Sequence, residues 1–225
     1  MFDLVFRPQC AACGVPADVL CEACACSLVE LGTACARCAE PIAAGEICTR
    51  CALAPLSIDR IVSPWRFGGQ LAIAIRRLKF SGRTHVARTI APLWAPLVGA
   101  AAREAEAIVV PVPLHWRRRL VRGFDQAWHL AIHACADAGL SPPVPALRRI
   151  RGGPPQSTLD QVKRRDNLRG AFAVRMPDAV RGRAVVLVDD VVTTGATIAA
   201  AARPLLAAGA TRVIGVALAR ATSSP

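Results

Sequence analysis

From residue 56 onward, apolar positions recur with the periods of helices and of buried strands, separated by glycine and proline. LAIAIRRLKF (71–80) has helical spacing. TIAPLWAPLVGAAAREAE (89–106) predicts a helix entered through a proline-broken segment. AIVVPVP (107–113) predicts a buried strand stopped by prolines. DQAWHLAIHACADAG (125–139) predicts a helix with Gly139 just past its end. AVVLVDD (184–190) is a continuous apolar run suited to a strand covered on both faces, ending near Val188 before two aspartates. ATIAAAARPLLAAGA predicts a helix closed by Gly209. Pro204 inside it costs about 3 kcal/mol in a regular helix, so a bend is expected there. RVIGVALAR (212–220) is the last strand. Strand, helix, strand in this order predicts βαβ units and an α/β fold with a parallel sheet.

Residues 1–55 contain few large apolar side chains but nine of the ten cysteines. Eight of these form four C-x-x-C pairs: Cys10 and Cys13, Cys21 and Cys24, Cys35 and Cys38, Cys48 and Cys51. Each tight loop can turn two thiolates toward one Zn²⁺, and two loops complete a tetrahedron. Metal would supply the stability that a small core cannot. Two sequential four-cysteine sites are the simplest grouping, and an interleaved one is the alternative. Cys26 and Cys135 are left over as free thiols. A disulfide module and a redox-active C-x-x-C are disfavoured: there is no export signal, and no pair sits at a clear strand-to-helix turn. The domain boundary is placed within CALAPLSIDR (51–60), giving a cysteine-rich module over 1–55 and an α/β domain over 56–225.

Charge sharpens this division. The net charge is +12. Residues 1–55 carry Arg7, Arg37 and Arg50 against six acidic residues, a net of −3, which leaves +15 on the remainder. Such an excess favours anionic ligands, namely nucleotides, sugar phosphates or nucleic acid. No apolar stretch reaches the roughly 20 residues of a membrane span. MFDLVFRPQC has no basic n-region and no long apolar core, so no signal peptide and a cytoplasmic protein are expected.

The chemistry concentrates in VVLVDDVVTTGATI (185–198). Thr193, Thr194, Gly195, Ala196 and Thr197 form a turn into a helix, where successive N–H groups and threonine hydroxyls suit a phosphate. Asp189 and Asp190 cannot serve that phosphate, because ionised carboxylates only accept hydrogen bonds. A ribose diol, or a bound Mg²⁺, supplies what they need. The two halves together suit a ribose 5-phosphate gripped at both ends. A Walker A loop is excluded by the missing lysine, and G-x-G-x-x-G is absent.

VVLVDDVVTTGAT resembles, over its whole length, the 5-phosphoribosyl 1-diphosphate (PRPP) motif of type I phosphoribosyltransferases. With the cysteine module, LKFSGR (78–83), VPVPLHWRRRLVRGFDQA (110–127) and QSTLDQVKRRDNLRGAF (156–172), the chain resembles the ComF family over nearly its full length. The resemblance implies a type I phosphoribosyltransferase-like parallel sheet with flanking helices, plus a small N-terminal double zinc ribbon. Some members of the family are implicated in DNA uptake. Asp125, where the family usually has asparagine, and Pro204 depart from the pattern.

By the same resemblance, Leu114, His115 and Arg117 belong to a pyrophosphate loop, with Arg118, Arg119 and Arg122 close by. His115, read as a partly exposed loop residue, is taken as polar more readily than as a proton donor. RRIRGGPPQSTLDQVKRRDNLRGAF (148–172) would be a lid closing over PRPP, with Gln156, Lys163, Arg164 and Asn167 as its contacts. Trp116 and Trp128 are read as core residues in preference to base-stacking platforms. Two functions follow. One is transfer of phosphoribose from Mg²⁺–PRPP to an unidentified acceptor, with Asp189 and Asp190 at the reacting sugar. The other is a non-catalytic module that senses PRPP or holds single-stranded DNA alongside DNA-uptake partners.

Overall fold

The computed structural model describes residues 8–80, 85–115, 123–151, 168 and 170–222. Its centre is a parallel sheet. The long apolar runs become β6 (Ala184–Val192) and β7 (Arg212–Arg220), paired in parallel from Ala184 with Arg212 to Val192 with Arg220. β3 (Ile108–Pro111) flanks β6, while β1 (Arg60–Val62) and β2 (Trp65–Arg66) lie beside β7, so the order is β1-β7-β6-β3. Pro111 has no N–H to donate, and β3 ends the described ladder, where that loss is tolerated. This is the parallel sheet with flanking helices that the resemblance implies.

Side-chain alternation along β6 and β7 creates two cores. Val186, Val188, Ile214, Val216 and Leu218 face one apolar cluster. That cluster is filled from α3 (Gly69–Phe80), α4 (His85–Ile90), α5 (Ala95–Glu104) and α6 (Gln126–Asp137). Val185, Leu187, Val213 and Ala217 face the other, against α8 (Ala196–Ala207) and the antiparallel pair β4 (Leu147–Arg149) and β5 (Phe172–Val174). Gly215 lets α8 approach: a Cβ there would lie 2.9 Å from Ile198 Cγ2. The short helix α7 (Pro177–Val180) leads into β6.

Two expectations are revised. The strand of the aspartates does not end near Val188 but runs to Val192, because β7 keeps pairing beside it. The helix expected over 89–106 is divided into α4, a 3₁₀ turn at Ala91–Leu93 and α5, with Pro92 and Pro96 starting new turns where no N–H is needed. α8 includes Pro204 and runs to Ala207.

The cysteine-rich segment carries the short helices α1 (Glu22–Cys26) and α2 (Thr49–Leu53) and packs against the sheet domain. Cys10, Ala11, Ala12, Leu20 and Cys24 share the apolar cluster of Leu71 and Leu78. Arg77 donates to the Ala11 carbonyl at 3.3 Å, and Arg66 N–H donates to Val29 O at 2.8 Å. Among the described residues, no helix is long and apolar enough to cross a membrane.

Candidate functional site

At the carboxyl ends of β3 and β6 lies an open cavity of about 220 Å³. Asp189, Asp190, Thr193, Gly195 and Thr197 line one side of it. Leu114, at the end of the segment after β3, lines the other. Thr194 does not line it. Its Oγ1 instead accepts from Ala196 N–H at 3.3 Å and shapes the turn into α8.

Gly195 holds this turn together. It is the residue before α8, with φ +79°, in the left-handed region. A Cβ there would sit 2.7 Å from Ile61 Cδ1 and 3.0 Å from Leu56 Cδ1. Gly195→Ala therefore meets both backbone strain, about 1–2 kcal/mol, and steric conflict. A fall in Tm of several degrees is expected by calorimetry, since each kcal/mol moves a domain of this size by about 2–4 °C. An unchanged Tm would contradict the conformation of this loop.

The acid pair is asymmetric. Asp190 is 4% exposed and pairs through Oδ2 with Lys79 Nζ of α3 at 2.8 Å. Asp189 remains partly open to the cavity, and its Oδ1 accepts from Asp190 N–H at 2.9 Å. Burial and, next, the Asp190 carboxylate push the Asp189 carboxyl up to about 8, against the pull of Lys79. Its ordinary value is about 3.9 in an unfolded chain. Between these two values the folded protein binds a proton that the unfolded chain releases, so stability falls as pH rises from about 4 toward 8. Asp189→Asn removes this dependence. Thermal melts should show the variant gaining on the wild type as pH rises from 5 to 9; a constant difference would refute the shift.

The loop after β3 differs from expectation. Leu114 N–H donates to Asp125 Oδ2 at 2.8 Å, and Asp125 Oδ1 also accepts from Trp128 N–H at 3.4 Å at the start of α6. A carboxylate thus occupies a backbone donor assigned to pyrophosphate. His115 is not partly exposed: only 7% of it reaches solvent. Trp128 is half-buried beside a second cleft with Asp125 and Arg175, outside the core clusters. Arg117, Arg118, Arg119, Arg122 and Trp116, with the lid residues Gln156, Lys163, Arg164 and Asn167, lie outside the described residues.

The cysteines form two sequential groups, Cys10/Cys13/Cys21/Cys24 and Cys35/Cys38/Cys48/Cys51. In each, the sulfur atoms lie within 4.8 Å of one another. Zn–S bonds of about 2.3 Å in a tetrahedron place sulfurs about 3.8 Å apart. Cys13 and Cys21 Sγ are 3.5 Å apart, and Cys38 and Cys48 Sγ are 3.7 Å apart. Burial raises the Cys10 thiol, but N–H groups of Cys13, Cys21 and Ala12 outweigh it and bring it to about 6. Cys35 is likewise raised by burial and brought to about 6 by N–H groups of Cys48, Arg37 and Cys38. Burial and the neighbouring cysteines push Cys24 up to about 12 and raise Cys51. Four thiolates cannot share so small a space without a cation, and this donor set fits Zn²⁺.

Residues 126–225 match the family described as phosphoribosyl transferase domain. Over 213 residues the chain is 32% identical to the DNA utilization protein YhgH of Salmonella typhimurium, covering 91% of this chain and 93% of that protein. It is 31% identical over 156 residues to competence protein F of Haemophilus influenzae, covering 67% and 68% of the two chains. It is 26% identical over 201 residues to competence protein ComFC of Bacillus subtilis, covering 86% and 80%. The chain belongs to the ComF family.

In this ComF-family chain the cavity also recruits residues that motif reading did not single out. Lys79 enters from α3, Gln126 from the start of α6 and Arg149 from β4. Lys79 lies inside LKFSGR, and Arg149 inside the basic run after residue 147, so both were visible as parts of motifs. Their convergence on Asp189 and Asp190 was not, because they are distant in sequence.

Proposed function

We propose that the cavity binds PRPP and that the domain transfers phosphoribose to an acceptor with release of pyrophosphate. One observation carries this reading: an acid pair and a helix-opening Gly/Thr turn converge on one cavity at the carboxyl end of β6. Residues 193–197 would receive the 5′-phosphate, since the first N–H groups of α8 lack partners within the helix. Asp189 and Asp190 would accept from the ribose hydroxyls. Arg149, together with Arg117 and the lid residues Gln156, Lys163, Arg164 and Asn167, would face the diphosphate. In the reaction the bond from the anomeric carbon to the pyrophosphate oxygen breaks. A bond to the acceptor forms, and the acceptor loses a proton. Mg²⁺ on the diphosphate would neutralise the leaving group, while the protein positions the reactants and stabilises charge on the ring. The division into a zinc module over 1–55 and a transferase-like domain over 56–225 belongs to the same proposal.

A second reading has its own observation. The Leu114 N–H is taken by the Asp125 carboxylate, which opposes pyrophosphate at that position. PRPP carries the same diphosphate, so the observation counts against PRPP sensing as well as transfer and favours the form of this reading in which the domain with its +15 charge holds single-stranded DNA. The names of the relatives, DNA utilization and competence, point the same way.

The deciding measurement is calorimetric titration of Mg²⁺–PRPP into the wild type and into Asp189→Asn/Asp190→Asn. Binding by the wild type that is lost in the variant supports the site. No binding by the wild type overturns it and favours the DNA-holding reading. That reading in turn requires single-strand affinity that falls steeply with salt.

A further inference from the structure

The side chain of Arg220 is fully buried, at 0% exposure, although it lies at the end of the last strand. Its backbone pairs with Val192, the residue immediately before the phosphate loop, and Ala221 N–H donates to Val192 O at 2.8 Å. Its guanidinium reaches the second cysteine cluster. Nη1 donates to Cys38 O at 2.6 Å, and Nη2 pairs with Glu40. Arg50 holds the same Glu40 at 3.5 Å and donates to Cys38 Sγ at 3.4 Å. A second strut runs in parallel. Arg37, next to Cys38, donates to Leu56 O and Ile58 O at 3.4 and 3.2 Å, and its own carbonyl accepts from Ile61 N–H at 3.0 Å. Leu56 packs against Cys35, Cys38 and Cys51 on one side, and on the other fills the space where a Cβ of Gly195 would stand.

Buried arginine is expensive unless every contact is retained, and an apolar wedge behind a left-handed glycine leaves that loop little room to move. We propose that Arg220 and Leu56 are positioning residues of the phosphate loop, clamping residues 192–195 to the second cysteine cluster. The conformation of the loop then depends on that cluster and not on the first, whose apolar contacts run to α3 on the opposite face of the sheet. The inference rests on reading 193–197 as the phosphate loop.

Amide hydrogen exchange tests it without any ligand. Leu56→Ala, Arg220→Lys and Cys48→Ser should each speed exchange of amides 193–199 by about tenfold or more, within the usual range of coupling between sites. Cys13→Ser, in the first cluster, should leave those amides unchanged, and α6 (126–137) should be unaffected in every variant. Leu56 is partly exposed, so its truncation is the variant best able to fold, and it decides the matter if the buried replacements do not. Equal acceleration by Cys13→Ser, or none by Leu56→Ala, overturns the clamp. Mg²⁺–PRPP titrated into the same samples separates the two claims. A wild type that fails to bind it removes the substrate reading, while the exchange pattern still judges the clamp.

Discussion

Protein purified under reducing conditions is expected to hold about two zinc equivalents per chain, one per four thiolates. Stripping them is expected to unfold the cysteine-rich segment. Its second half has almost no independent core: among the described residues, the small apolar cluster of Cys35, Cys38 and Cys51 is joined, besides Cys48, only by Ile42 and by Leu56 from just beyond the segment. The sulfurs, by contrast, already stand at tetrahedral spacing. Structural zinc sites carry about 10–16 kcal/mol of apparent binding energy. This exceeds or matches the 5–15 kcal/mol that stabilises a typical domain. Chelation should therefore abolish the exchange protection of residues 8–53. It should also lower the Tm of the whole chain, since Cys10 and Cys24 pack against Leu71 and Leu78. Metal analysis near zero, or a Tm indifferent to chelator, would remove the zinc assignment.

The second large effect concerns the acid pair. Hydrogen bonds to charged groups contribute about 1.5–3 kcal/mol and those to neutral groups about 0.5–1.5 kcal/mol, so replacing Asp190 should cost roughly ten- to hundredfold in PRPP affinity and replacing Asp189, whose carboxyl is pushed up to about 8, roughly two- to tenfold near neutral pH. The two replacements are not equivalent in the protein without ligand. Asp189 is partly open and makes no ion pair among the described residues, so Asp189→Asn should spare the fold. Asp190 is buried against Lys79, so Asp190→Asn should cost stability as well as affinity. Titration combined with thermal melts separates these outcomes. Wild-type affinity in the double variant would show that the pair does not hold the sugar. A stable Asp190→Asn would show that the Lys79 pair is dispensable.

Much of this was legible in the sequence because the signals are local. Continuous apolar runs rich in β-branched residues suit strands buried on both faces, and β6 and β7 contain them. The four C-x-x-C loops state their chemistry within four residues each. The turn at 193–197 is announced by Gly195, a residue type that adopts the left-handed φ found there without strain. The misreadings occur where neighbours distant in sequence decide. β6 outruns its apolar run because β7 supplies partners as far as Arg220. β1, β2, β4 and β5 are two or three residues long and exist only through the strands beside them. His115 is buried although its segment looks like an open loop.

The sequence alone determined the α/β class, the four C-x-x-C pairs and the Gly/Thr turn that opens α8, because each depends on periodicity or on spacing within a few residues. Tertiary structure alone decided that Lys79 and Arg149 join the acid pair, that Asp125 occupies the Leu114 N–H, and that Arg220 ties the end of the sheet to Cys38 and Glu40. Those contacts join residues 11 to 182 positions apart. Only chain folding brings such partners within a few ångströms, where hydrogen bonds and ion pairs act.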